Sequence, residues 1–277
     1  MGALQTDTAV RPGEGGSLAA TLSRDWEIWG PNGGYIAAIA LRAAGAVVPA
    51  GHRPASFSCQ YLAVGAFEDV ELTAEPVRRG RTAWCVNVGM RQGGKLLLQA
   101  QVWTTDRMEG PERAEARRPD VPGPAGLKTM EELRPPGTPP FKFWENFDAK
   151  PVRQRNGGWD RNPEGAVARG WYRYRGFEGG GDPFLEHARG LLLLDTLFWP
   201  THARALEERP SYIAPSLELS AWFHAPAAGA EWLLLDTHTD TAGAGLIYGG
   251  GRVWSEDGRL LATGGQNMLV APARASS

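Results

Sequence analysis

The chain has 277 residues, 42% of them hydrophobic and 22% charged, enough to bury one large core or two of about 100–140 residues, which excludes a wholly disordered protein. Its 29 basic and 31 acidic residues nearly cancel to a net charge of -2, so no chain-wide electrostatic footprint for nucleic acid exists. Cys59 and Cys85 show no C-x-x-C spacing, which argues against a disulfide framework or structural zinc site and reads them as small buried apolar groups.

Residues 1–16 are small, polar and glycine-rich, lack the basic head and apolar run of a signal peptide, and are expected to lie loose; cytoplasmic residence follows by default. Residues 18–29 form an alternating, aromatic stretch that Gly30-Pro31-Asn32-Gly33-Gly34 breaks before a helix over 35–47. That helix carries one charge, Arg42, so it is apolar nearly all round and must be wrapped by other structure. Four strand-like runs follow at 55–64, 70–77, 82–91 and 95–104, the last two joined by a hairpin at Gln92-Gly93-Gly94. Residues 106–140 interleave prolines with charges, cannot sustain a regular helix or central strand, and read as an inter-domain linker.

Beyond it, strands at 141–152 and 167–175 precede a second apolar helix over 183–199, closed by Pro200. Strands recur at 216–223, 232–239, 246–255 and 259–270, with Glu256-Asp257-Gly258 as the hairpin. The halves align on Gly94-Lys95-Leu96-Leu97 against Gly258-Arg259-Leu260-Leu261, and on Ser56 and Ser216 at the opening of an aromatic strand. A long apolar helix followed by four antiparallel strands, twice, predicts an α+β fold in which each half curls a sheet round a central helix. No window reaches the ~18 uninterrupted apolar residues of a membrane span, so membrane insertion is not expected.

Three further segments carry a family resemblance: Gly30-Pro31-Asn32-Gly33-Gly34-Tyr35 ahead of the first helix, Leu194-Asp195 in the second, and Ser216 to Trp222-Phe223-His224 on the following strand. Completed by Trp232-Leu233-Leu234 and by the run from Glu256 to Gln266, the chain resembles the acyl-CoA thioesterase II family. The resemblance implies a tandem (double) hotdog, two antiparallel sheets each wrapped round a long apolar helix and joined side by side. The expected division is a first hotdog over 1–107, a proline-rich linker over 108–138 and a second hotdog over 139–277. It further implies hydrolysis of an acyl-CoA or acyl-carrier thioester without cofactor or metal, by water held between an Asp, a Thr and a Gln of the second hotdog. Those positions fall on Asp195, Ser216 and Gln266. Serine in place of threonine keeps the hydroxyl and loses the methyl that restrains its rotamer.

The residues themselves leave alternatives open. An ionised Asp195 within LLLLDTLFW is expensive unless bonded or paired, which suits a general base; pointing outward or capping local backbone would serve as well. Gln266 follows two glycines that permit close approach to the strand, and reads as a water-holder or as an outward strand residue. Ser216 is equally an edge-strand serine. Gly33, Gly34 and Tyr35 offer helix-start amides to polarise a thioester carbonyl, or simply a helix entry. No G-x-S-x-G elbow surrounds any serine, which argues against an α/β-hydrolase route. Two rivals remain: a hotdog hydratase or dehydratase, for which Glu186-His187 is the nearest His and acid pair, and a non-catalytic acyl-thioester-binding protein. Homo-oligomerisation is expected from the sheet edges that remain to be covered.

Overall fold

The computed structural model describes residues 1–138, 141–154, 161–179 and 181–273. The first half runs α1 (Leu4–Asp7), β1 (Arg11–Pro12), β2 (Leu18–Thr21), α2 (Gly33–Gly45), β3 (Arg53–Tyr61), β4 (Asp69–Arg79), β5 (Ala83–Gln92) and β6 (Lys95–Thr105). The second runs β7 (Phe147–Pro151), β8 (Val167–Tyr174), α3 (Pro183–Leu194), α4 (Phe198–Ala203), β9 (Tyr212–Ile213), β10 (Glu218–Phe223), β11 (Leu233–Gly243), β12 (Leu246–Ser255), β13 (Leu260–Leu269) and β14 (Ala271–Pro272). The β5–β6 hairpin turns on Gly93 and Gly94, both at positive φ, as a two-residue turn matched to strand twist requires.

Twelve of the strands form one antiparallel sheet in the order β1-β2-β4-β5-β6-β3-β10-β13-β12-β11-β8-β7. The halves join where β3 pairs with β10, in a register that sets Gln60 opposite Glu218, Ser58 opposite Ser220 and Ser56 opposite Trp222. α2 and α3 lie on the inner side and run antiparallel, Gly45 of one against Phe184 of the other and Gly34 against Leu192. Alanines 37, 38, 40, 43 and 44 of α2 and Leu191–Leu194 of α3 are fully buried, and both helices belong to one apolar core that spans the two halves. Each leucine so buried stabilises the fold by about 1.5–3 kcal/mol before entropy is counted.

Two segments behave differently from the sequence reading. Residues 1–16 are docked rather than loose: Leu4 is buried, Gly2 N–H donates to Asn146 Oδ1 at 2.7 Å, and Arg42 donates to Gln5 O at 2.7 Å. One buried leucine and a carboxylate, Asp7, which accepts from the Trp26 indole at 2.9 Å, are enough to anchor so short a stretch. The linker forms no strand in its described residues and a single 3-10 turn at Pro124–Gly126, but it adheres to the outer face of the second half's sheet. Ala116, Val121 and Leu127 pack on Trp171, Trp232, Leu234 and Trp254, and the Trp171 indole donates to Pro122 O at 2.9 Å. Its last two residues, 139 and 140, lie outside the described residues.

Candidate active site

The helix expected over 183–199 is broken in two. Pro200 has no N–H to offer the carbonyl of Thr196, and its ring would strike that carbonyl in a continuous helix. α3 therefore stops at Leu194 and α4 restarts at Phe198, with Pro200 in its first turn, where no N–H is required. Asp195 falls at the break as the C-cap of α3, its N–H on Leu192 O at 3.3 Å.

The Asp195 carboxylate is half-buried and points across the seam. Oδ2 accepts the Gly34 N–H at 2.7 Å, and Oδ1 accepts the Tyr61 hydroxyl at 3.3 Å. Ser216, just ahead of β10, lies on the same side, where its hydroxyl favours the ionised carboxylate. Burial pushes the acid up to about 7; the Gly34 amide, Tyr61 and Ser216 each oppose that rise. Gly34 is the second residue of α2, so the positive end of that helix faces the carboxylate as well.

The approach is close enough to require glycine. A Cβ on Gly33 would lie 2.7 Å from Asp195 Oδ2, and one on Gly34 would lie 2.7 Å from Leu192 O and 2.9 Å from its Cα. Tyr35 turns away: its N–H donates to the helix cap Asn32 Oδ1 at 2.9 Å, its ring stacks on Trp26 at 5.3 Å, and its hydroxyl donates to Asp7 O. The amides of Gly34 and Tyr35 are thus committed to Asp195 and Asn32, so the helix start grips the carboxylate instead of leaving all three amides for a carbonyl oxygen.

Gln266 sits on β13 opposite Gly249 of β12. Strand alternation puts it on the face of Gly264, which abuts Leu194, and of Met268, which packs with Phe198. It therefore lies beneath the gap between Leu194 and Phe198 that Asp195 occupies in the chain. Its side chain is buried and its Oε1 has no hydrogen-bond partner among the described residues. The structure brings Asp195, Gly33 and Gly34 into contact, sets Ser216 near enough to act on the carboxylate, and puts Gln266 on the facing strand.

Tyr61 was not foreseen. It ends β3 in Cys59-Gln60-Tyr61, and the period-2 pattern that points Phe57 and Cys59 inward points Tyr61 inward too; that was the available signal. The other polar candidates are engaged elsewhere. His187 Nδ1 donates to Pro183 O at 2.6 Å, and burial holds its pKa down to about 4, while Glu186 pairs with Arg189 at 3.3 Å. Glu186 and His187 therefore do not form an acid and base pair. His224 is exposed against Thr263. Among the described residues no group of three His, Cys, Asp or Glu side chains could hold a metal ion.

The duplication also gives each site position a counterpart in the other half. Matching the helix caps Asn32 and Asp182 makes Phe184 the counterpart of Gly34 and Gly45 that of Asp195. The strand register pairs Phe223 with Tyr61, Val102 with Gln266, and Ser216 with Pro54 rather than with the Ser56 expected from the sequence. Every polar member is thereby replaced by an apolar one, and the Phe184 ring fills the contact at Gly45, 2.6 Å from where a Cβ would stand.

Fold and site define a double hotdog with a half-buried carboxylate at the seam between its halves. Family models for the acyl-CoA thioesterase N-terminal and C-terminal domains match residues 22–105 and 114–270, and the chain belongs to the acyl-CoA thioesterase family. It is 31% identical over 103 residues to acyl-coenzyme A thioesterase 8 of Homo sapiens, a match covering 36% of this chain and 32% of that protein, so it spans about a third of the curated relative's length. Among solved structures, a hotdog-fold protein of unknown function from Alicyclobacillus acidocaldarius superposes with a TM-score of 0.83 at 24% identity, covering 98% of both chains. An acyl-CoA thioesterase II from Mycobacterium marinum superposes at 0.78 with 20% identity, covering 99% of both. These two likenesses are of fold.

Proposed function

We propose that the chain hydrolyses acyl-CoA thioesters to free acid and CoA with Asp195 as general base. The observation that carries this reading is a half-buried carboxylate poised near neutrality, bonded on both oxygens, in a chain of this family. A base with that proton affinity is half ionised at physiological pH and takes a proton from water with little driving force wasted.

In the proposed step Asp195 removes a proton from a water that Ser216 and Gln266 orient, and the water oxygen bonds to the thioester carbon. The carbonyl π electrons move to oxygen; as they return, the carbon–sulfur bond breaks and the thiolate leaves to take up a proton. The unpartnered Gln266 Oε1 supports its place here, because buried amides are bonded and a water supplies the missing donor. Gly33 and Gly34 are assigned to seating the carboxylate, and Tyr35 to the helix entry.

The substrate's acyl type, cytoplasmic residence and association into homo-oligomers belong to the same proposal. Two buried free thiols suit a reducing compartment, and β1 and β7 leave the sheet with edges for a partner to cover. None of the described helices is long and apolar enough to cross a membrane. Release of free thiol from short, medium, long and aromatic acyl-CoAs, by wild type and Asp195→Asn, tests the reading. Loss of release in the variant supports it; binding without turnover by the wild type, or an unsaturated product, sinks it.

A further inference from the structure

Tyr61 reaches the carboxylate from the half of the chain that holds none of the three expected reacting groups. We propose that Tyr61 is a positioning residue for Asp195: its hydroxyl, carried across the seam on β3, pins the carboxylate oxygen that the α2 amide leaves free and favours the ionised form. The inference rests on the hydrolytic reading above and deepens it.

Four observations converge. Gly34 holds Oδ2 and Tyr61 holds Oδ1, from two different elements, so rotation of the carboxylate breaks one bond or the other. Tyr61 is itself held in place, its N–H donating to Leu217 O at 2.9 Å, one residue beyond Ser216. Gly33 leaves space for the ring, whose Cζ lies 3.1 Å from where a Cβ would stand. Finally, the duplicate position holds Phe223, which lacks the hydroxyl, and Gly45 stands there in place of the carboxylate. The hydroxyl is present in the copy that has an anion to receive it.

The ionisable groups facing Asp195 are Tyr61 and Cys59 on β3, with Glu218 of β10 beside Cys59; among the described residues no cation is an interaction partner. Burial and the neighbouring carboxylate hold the tyrosine proton well above its ordinary range, so Tyr61 stays a donor throughout the working pH. With no counter-charge present, donated hydrogen bonds are what favour the ionised carboxylate.

The test is Tyr61→Phe, a change that the fold already accommodates at Phe223. The acidic limb of kcat/KM is expected to move up by about one pH unit, so turnover falls about fivefold at pH 7, recovers to within about twofold by pH 9, and leaves KM within about twofold. Carbon-13 titration of the Asp195 carboxyl, assigned by its loss in Asp195→Asn, should show the same shift without substrate. An equal loss at every pH with an unmoved titration, or no loss at all, overturns the proposal. If wild type releases no CoA from any acyl-CoA, the hydrolytic reading fails, while the titration still decides the role of Tyr61.

Discussion

Replacing Asp195 by asparagine keeps the shape of the side chain and removes an ionisation that the fold opposes. Burial lifts this acid from 3.8 to about 7, some three pH units, and each unit corresponds to ~1.4 kcal/mol. Keeping the carboxylate ionised above neutral pH thus costs the native state about 4 kcal/mol. Because the folded value exceeds the unfolded one, the native state retains a proton that the unfolded chain has released between about pH 4 and pH 7. Wild-type stability from this group is full below that window, falls across it and is level above it. Asparagine escapes the fall and keeps an oxygen for the Gly34 N–H. The two proteins should therefore melt together near pH 4, with the variant about 8 °C higher at pH 8, taking about 2 °C per kcal/mol for a chain of this size. Scanning calorimetry from pH 4 to 9 reads this directly. A difference that does not vary with pH, or a variant less stable than wild type at pH 8, refutes the reasoning.

In thiol-release assays, kcat/KM of the wild type should rise through about pH 7 as Asp195 ionises and level off above; a flat profile from pH 6 to 8 removes it as the base. Gly34→Ala forces a Cβ onto Leu192 backbone that cannot yield, so a loss of ~2 kcal/mol in urea unfolding and a larger loss of turnover are expected. Ser216→Ala should lower kcat about tenfold or more while Ser216→Thr keeps or raises it, and equal rates for the two would dismiss the hydroxyl. Arg189→Ala strands the Glu186 carboxylate and the carbonyls of Ala227 and Ala230 in the core, and should reduce stability by about 3–5 kcal/mol in chemical denaturation.

What could be read from the residues was governed by how local the signal is. The apolar α2, the β5–β6 hairpin and the order of strands follow from periodicity and glycine placement within a few residues. The duplicated architecture followed from seeing that order twice. The position of Asp195 was legible, but its setting was not: the run LLLLDTLFW reads as one helix, and the break depends on Pro200 five residues later. Tyr61 was illegible as a site residue because its partner lies 134 positions away and meets it across a strand pairing that no local pattern encodes. The docked N-terminus was missed for the same reason, since small polar residues look alike whether they bond to solvent or to Asn146 and Arg42.

The β3–β10 junction has a consequence for any hybrid of two such chains. Adjacent residues of a strand project to opposite sides, so sliding β3 by one position along β10 would carry Tyr61 and Cys59 to the outer surface and bring Gln60 inside. A chimera built from the halves of two relatives can preserve both cores and still be inert, because its chemistry is inherited through the alignment of two strands belonging to different parents.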